Sequence, residues 1–361
     1  MQKLPFSDLT TEWFIGNFGG PTPVQEAAWP QIAAGRDTLV SAPTGTGKTL
    51  SAFLVFIDRL SELARQNELN DELYLIYISP LKSLAGDIRE NLRKPLDGIS
   101  RLESAKRQDG SYTLNFPGAK RYGSLPAAAR ITIGVRTGDT IPAERRAMFK
   151  NPPHILITTP ESLYILLTSL SGVRMLKTAK AVIIDELHAL IGSKRGSHLM
   201  FSLARLDVLC GGPLQRIGLS ATIEPLETAA RYLSAGEAAI AAPKSEKAIE
   251  LSVKSAMPES GVLPQGTIWP EIAREVYMMC QNTRCVIAFV ESRMHAEKLA
   301  YNVNLIAGEN FALTHHGSVS KERRLEAEQA LRDGKLRLLC ATSSMELGID
   351  VGDIDRVIQI G

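Results

Sequence analysis

Ala42-Pro43-Thr44-Gly45-Thr46-Gly47-Lys48-Thr49 packs two glycines, a lysine and three hydroxyls into eight residues. Between a strand and a helix, such a run can cradle phosphate. The glycines let successive backbone N–H groups turn inward on phosphate oxygens. The helix N-terminus adds partial positive charge. Lys48 would reach the β and γ phosphates, and Thr49 would ligate Mg²⁺. A second chemical group closes the apolar run "AVIIDELH", which ends in Asp185-Glu186 and His188. An acidic pair at a strand's C-terminal end lies beside the phosphate loop of a doubly wound sheet. There Asp185 suits the Mg²⁺ sphere and Glu186 suits polarising the attacking water. Taken alone, Asp185 reads equally well as a helix cap. Beside a phosphate loop, the nucleotide reading prevails.

These residues need a sheet to hold them, and the sequence supplies the pattern for one. "DTLVSA", "ELYLIYISP", "ITIGVRT", "HILITTP", "AKAVIIDE" and "QRIGLSA" read as strands, each followed by a helical pattern. Val, Ile and Leu without alternation predict strands covered on both faces. Strand–helix repetition predicts a parallel, doubly wound sheet. A stretch richer in Pro, Ser and Lys, about residues 242–270, reads as a connection with a short strand at "IELSVKSA". The rhythm then restarts with helices at "PEIAREVYMMC", "SRMHAEKLAYNV" and "SKERRLEAEQALRD". Strands are predicted at "CVIAFV", "FALTHH", "KLRLLCAT" and "IDRVIQI". The expected boundaries are an ATP-binding domain over 1–243, a linker over 244–268 and a second α/β domain over 269–361.

One segment interrupts the first unit. Residues 101–130 carry six basic and two acidic residues with little periodicity. They read as a solvated surface insertion, since loops tolerate insertions. The alternative is a basic flap near nucleic acid, with Tyr112, Phe116 or Tyr122 stacking on bases.

Composition narrows the class. With 361 residues, 44% hydrophobic and 22% charged, the chain reads as globular. Its net charge of +2 gives no global field toward nucleic acid or membranes, so local patches must supply any such binding. Cys210, Cys280, Cys285 and Cys340 fit no zinc or disulfide spacing and read as thiols of a reducing compartment. The first residues lack the order of a signal peptide, and no apolar run approaches membrane-spanning length. A cytoplasmic protein without membrane partners is expected, and no obligate protein partner is inferable.

The ordered series "PTPVQ", "APTGTGKT", "SPLKSL", "TGDT", "TTPESL", "DELH", "SAT", "HHGS" and "ATSSMELGID" resembles a superfamily 2 DExH-box helicase. "YISPLKSLAGDIRENLRKPL", "PPHILITTPESLYILLTS", "GSKRGSHL" and "CATSSMELGIDVGDIDRVIQIG" resemble, more closely, the large-helicase-related (Lhr) family. The likeness spans about 21–361, apart from 101–130 and the connection. It implies two tandem RecA-like P-loop domains with mostly parallel sheets, closing on ATP. By the same resemblance, Gln25 reads the adenine edge, with an aromatic partner among Trp13, Phe14 and Phe18. His188 couples the nucleotide to Ser220 and Thr222. Pro80, Lys82, Thr137, Gly138, Thr159, Pro160 and Ser162 contact the backbone of a single strand. Ser292, Arg293, Thr342 and Ser343 do so from the second domain, where Gly348 and Asp350 face the nucleotide. Without the family, Thr159 to Ser162 would read as a helix cap, and His315-His316 as a strand-end pair rather than metal ligands.

The implied activity is an ATP- and Mg²⁺-dependent helicase or translocase on single-stranded DNA or RNA, including tailed or hybrid duplexes. Its expected polarity is 3′-to-5′ and its expected setting DNA repair. In similar proteins a later helix carries a glutamine and two arginines, one of them a finger on the γ-phosphate. No match precedes Gly361, so the second domain is expected to be incomplete here. The alternative is therefore an ATP-gated binding fragment with little hydrolysis.

Overall fold

The computed structural model describes residues 4–43, 45–81, 84–108, 126–221, 223–234, 236, 238–243, 250–257, 267–308, 311–342 and 354–361. The chain divides into two compact units, Met1–Glu246 and Lys247–Gly361.

The first unit opens with α1 (Asp8–Phe18) and α2 (Pro23–Ala33), then alternates strand and helix. The sequence runs β1 (Thr38–Ser41), α3 (Lys48–Gln66), β2 (Leu75–Ile78), α4 (Leu84–Gln108), β3 (Ile133–Arg136) and α5 (Pro142–Lys150). It continues with β4 (Ile155–Thr158), α6 (Pro160–Leu167), α7 (Leu170–Leu176), β5 (Ala181–Ile184), α8 (Lys194–Cys210), β6 (Gln215–Ser220), α9 (Leu226–Leu233) and β7 (Ala239–Ala241). The seven strands form one sheet in the order β3-β4-β2-β5-β6-β1-β7, and every pairing is parallel.

Successive side chains on a strand point to opposite faces, and the core divides accordingly. Val40, Leu75, Tyr77, Ile157, Ile183 and Leu219 join a cluster with residues of α1 to α4. Their neighbours Leu39, Ile76, Ile78, Leu156, Val182 and Ile184 join another with residues of α6 to α9. The continuous apolar runs thus reflect a sheet covered on both faces.

Two local expectations are corrected. Residues 101–108 are not loop but the last turns of α4. Ile88, Leu92, Leu96 and Ile99 form a buried stripe at helical spacing. The helix then carries Glu103, fully buried, to accept the Ala127 N–H at 3.0 Å. A buried carboxylate hides a helix from a search for apolar periodicity. The remaining segment, 109–125, with Tyr112, Phe116 and Tyr122, lies outside the described residues. The strand expected at "IELSVKSA" is absent from residues 250–257, where Leu251 and Val253 stay exposed. Alternation makes a strand only where a partner edge receives it.

The second unit holds α10 (Trp269–Met279), β8 (Val286–Val290), α11 (Arg293–Ala307), β9 (Ala312–His315), α12 (Lys321–Arg332), β10 (Leu338–Ala341) and β11 (Arg356–Ile360). Its sheet runs β11-β8-β10-β9, again all parallel. Val286, Ala288, Leu338 and Cys340 pack toward α10 and α11, while Ile287, Leu339 and Ala341 pack with residues of α12. The four cysteines are free, and burial pushes the Cys280 thiol up to about 11. Among the described residues, no helix is long and apolar enough to cross a membrane.

His154, just before β4, is a titratable pin in the first unit. It is 3% exposed; its Nδ1 accepts the Thr132 N–H at 2.9 Å, and its Nε2 stands 3.1 Å from the Asn70 carbonyl. That pairing requires a neutral ring with the proton on Nε2. Burial lowers its pKa from the ordinary value. The unfolded chain therefore binds more protons once pH falls through about 6.5, so stability is full above that pH and lost below it. The thermal midpoint should drop as pH is taken from neutral toward 5, and His154→Gln should show a shallower drop. Parallel curves for the two proteins in differential scanning fluorimetry would count against this role.

Candidate nucleotide-binding site

The loop after β1 is built by its glycines. Gly45 has φ +79 and Gly47 φ +85, both in the left-handed region that side chains disfavour. Gly47 is also the N-cap of α3. A Cβ there would meet the Gln25 amide nitrogen at 2.6 Å. The loop's backbone thus turns tightly against α2 while the helix N-terminus opens toward the strand ends.

Gln25 is 3% exposed and closes a capping box, its Oε1 accepting the Thr22 N–H at 2.9 Å. Thr22 Oγ donates to the Thr46 carbonyl at 2.9 Å. Gln25 is therefore a brace under the phosphate loop, with its amide nitrogen against Gly47. Of its three aromatic candidates, Phe14 is fully buried and packs edge-on to Trp29, and Trp13 is 8% exposed. Phe18 is 56% exposed, with its ring 5.0 Å from that of Phe14. Phe18 alone offers a face to solvent.

Lys48 bends back on its own loop, donating to the Pro43 carbonyl at 2.8 Å and to the Ala42 carbonyl. Burial pushes its pKa down; the charges of Glu186 and Asp185 push it up again. The ammonium and both carboxylates thus share one neighbourhood, although Lys48 leaves β1 and the acids leave β5. Asp185 continues the ladder by donating its N–H to the Ile78 carbonyl at 2.9 Å. Its Oδ1 accepts the Glu186 N–H at 2.9 Å, and its Oδ2 accepts the Tyr77 hydroxyl. Burial first, then the Glu186 charge, raise the Asp185 carboxyl to about 6. Glu186 has φ 47, the left-handed region, which turns its side chain away from the strand direction. Burial raises its pKa as well, opposed by Lys48.

His188 joins this cluster to β6. Its Nδ1 lies 3.3 Å from Ser220 Oγ and 3.5 Å from Glu186 Oε2. Burial, then the Lys48 charge, lower its pKa, favouring a neutral ring. The Ser220 carbonyl accepts the Ala42 N–H at 3.2 Å, and Ser41 Oγ donates to the Ala221 carbonyl at 3.0 Å. Ser220 is thus bonded toward the phosphate loop on one side and toward His188 on the other.

The residues expected on nucleic acid gather at one rim. Pro80 follows β2, Thr137-Gly138 follows β3 and Thr159-Pro160-Ser162 follows β4, three adjacent strands. Their hydroxyls already have local work. Thr137 Oγ accepts the Asp139 N–H at 3.3 Å. Thr159 Oγ caps α6 by accepting the Ser162 N–H at 3.4 Å, and it lies 3.2 Å from Ser162 Oγ. Thr159 and Ser162 are 1% and 4% exposed. In the second unit, Ser292 caps α11, Arg293 donates to Ser318 Oγ at 2.7 Å, and Thr342 follows β10. His315 and His316 each face their own glutamate, Glu328 at 2.9 Å and Glu297 at 2.7 Å, a strand-end pair without a shared ligand. Thr44, Lys82, Thr222, Ser343, Gly348 and Asp350 lie outside the described residues.

The donor set fits a nucleotide with a hard divalent cation. A carboxylate and a threonine hydroxyl are the oxygen ligands Mg²⁺ prefers, and Gly45 and Gly47, both at positive φ, hold the loop in its turn. Asp185 and Thr49 would hold the cation, and Lys48 the phosphates. The residue that sequence reading missed is Tyr77. Its signal was a lone polar-tipped ring in an otherwise aliphatic strand, "LIYI".

Known proteins match this chain over most of its length. The DEAD/DEAH box helicase family model matches residues 22–229, and the helicase conserved C-terminal domain model matches 270–361. The Lhr helicase/probable uracil glycosylase of Mycolicibacterium smegmatis is 44% identical over 98% of this chain and 24% of its own length. The ATP-dependent helicase Lhr-Core of Methanothermobacter thermautotrophicus is 38% identical over 97% of this chain and 39% of its own length. A structure of Mycobacterium smegmatis helicase Lhr bound to ssDNA and AMP-PNP superposes with TM-score 0.79 at 46% identity, over 98% of this chain and 44% of that one. The chain therefore spans less than half the length of these relatives.

The Gly47–Gln25 contact is open to a direct check. Gly47→Ala places a Cβ at positive φ, a cost of about 1–2 kcal/mol, and against the Gln25 amide. Gln25→Ala alone loses the bond from the Thr22 N–H to the side chain, roughly 0.5–1.5 kcal/mol. Because the two residues touch, the double variant should be more stable than the sum of the single losses implies. Strict additivity in urea denaturation would argue against the brace.

Proposed function

The chain belongs to the DEAD/DEAH box helicase family, on its Lhr branch, and from that membership we propose that it is a nucleic-acid-stimulated ATPase moving along a single strand. The observation that carries the reading is a glycine-built loop after β1 whose Ala42 N–H donates to the Ser220 carbonyl, while Ser220 Oγ lies 3.3 Å from His188 in the turn that carries Asp185 and Glu186.

In this reading the backbone N–H groups of the loop and Lys48 bind the triphosphate. Thr49 and Asp185 would hold Mg²⁺, which would supply neutralisation of phosphate charge. Glu186, raised in pKa by burial, accepts a proton from the attacking water. His188 and Ser220 relay the state of that carboxylate to β6. Gln25 reads the adenine edge while its Oε1 braces the loop, and the exposed ring of Phe18 is the stacking partner for the base. Pro80, Thr137, Gly138, Thr159, Pro160 and Ser162 form a rim whose outward backbone groups bind phosphates without reading sequence. Ser292, Arg293 and Thr342 play the same part in the second unit. The strand is single-stranded DNA or RNA, and the 3′-to-5′ direction follows the family resemblance.

The decisive measurement pairs nucleotide binding with turnover. A fluorescent ATP analogue should bind this chain, and Lys48→Ala should abolish that binding while the thermal midpoint holds. Single-stranded DNA or RNA should raise the ATPase rate of the wild type, and its affinity should fall with salt. Unchanged nucleotide affinity in Lys48→Ala would sink the cradle assignment.

A further inference from the structure

Tyr77 sits in β2 with its ring fully buried, at a position where neighbouring strands carry Ile157 and Ile183. A phenol is a costly choice there, because a buried hydroxyl without a partner loses its hydration for nothing. Its partner is Asp185: the hydroxyl donates to Oδ2. The other face of the site also holds the ring. Phe53 of α3 stacks on it, centroids 4.8 Å apart and planes 22° from parallel. Phe53 lies one helical turn beyond Thr49 on the same helix. Tyr77 therefore touches the phosphate-loop helix with its face and the acidic strand end with its tip.

We propose that Tyr77 is a positioning residue for the cation site, its hydroxyl fixing the Asp185 carboxylate in the pose that faces the phosphate loop. The inference rests on the nucleotide reading above and adds a residue to it. The geometry is specific. Asp185 Oδ1 is held by the Glu186 N–H at 2.9 Å and Oδ2 by Tyr77. Each carboxylate oxygen has two in-plane lone pairs, so the plane of the group is set while one lone pair per oxygen stays available. With the phenol removed, Oδ2 loses its only donor among the described residues, and the group is free to rotate toward Lys48. Outer partners of metal ligands typically govern 10–100-fold in metal affinity.

The test uses Tyr77→Phe, which removes one oxygen and keeps the ring on Phe53. A fluorescent ATP analogue is titrated without metal, then Mg²⁺ is titrated at fixed nucleotide. The Mg²⁺ midpoint should move upward by roughly 10-fold or more, while metal-free nucleotide affinity stays unchanged. Phe53→Leu, which keeps the hydroxyl but removes the stacked ring, is the second variant. It should move the midpoint the same way by a smaller factor. An unchanged Mg²⁺ midpoint in either folded variant overturns the proposal. So does an equal loss of metal-free affinity, which would mark Tyr77 as a packing residue. Failure of the wild type to bind the analogue at all would instead overturn the nucleotide reading itself.

Discussion

Parallel pairing of β5, β6 and β1 is the constraint on which the site depends. The register sets Ser41 opposite Ser220, and Ile184 opposite Gly218. All three strands therefore end at one rim. No side chain reaches far to build the cluster; the strand ends deliver it. Gly218 shows how tight the fit is. A Cβ there would stand 2.9 Å from Leu187 and 3.1 Å from Leu233. The turn carrying Glu186 to His188 is thus pressed onto β6, which places His188 beside Ser220. The same packing that fills the core also wires the acidic turn to the strand next to the phosphate loop.

The sheet order separates two tasks. Strands β5, β6 and β1 carry the nucleotide cluster, and β3, β4 and β2 carry the rim expected to hold a nucleic-acid backbone. Strand β2 is the junction. It ends in Pro80 on the rim side, while Tyr77 within it bonds Asp185 on the nucleotide side. Any shift of β2 along its axis would be felt at both ends. Tyr77 makes that strand part of the chemical site rather than only its neighbour. The hydroxyls of Thr137, Thr159 and Ser162, by contrast, are spent on capping and turn bonds. In the proposed reading, other backbone N–H groups at these strand ends would make the phosphate contacts. Such contacts position a strand without selecting its sequence.

Much of this was legible in the sequence because it rests on short-range rules. A glycine-rich run between strand and helix has few other uses. Apolar runs ending in acidic or hydroxyl residues map directly onto parallel strands with functional ends. What stayed hidden depends on tertiary partners. That the Gln25 carboxamide also closes a capping box and lies against Gly47 could not be read from the motif. The end of α4 reads as loop because Glu103 is buried through a backbone partner 24 residues away. The three-residue β7 was too short to announce itself, and it exists by pairing with β1. Tyr77 reads as one more strand residue until Phe53 and Asp185 are seen on either side of it.

Strain also tells where function overrides folding. Glu186 takes φ 47 and ψ 47, a left-handed conformation that costs a side-chain-bearing residue about 1–2 kcal/mol. Leu187 supplies the buried apolar contact of the turn, while the Glu186 carboxylate lies 3.5 Å from His188 Nδ1. What the conformation does achieve is divergence. Asp185 stays in the ladder direction, enclosed and bonded by Tyr77, while Glu186 is turned out toward His188 at 3.5 Å. Two adjacent carboxylates on an extended strand would point to opposite faces of the sheet, and one of them would leave the site. The left-handed turn keeps both on the same rim with different neighbours. One acid is thereby suited to hold a cation and the other to take a proton, a division of labour imposed by a single backbone torsion.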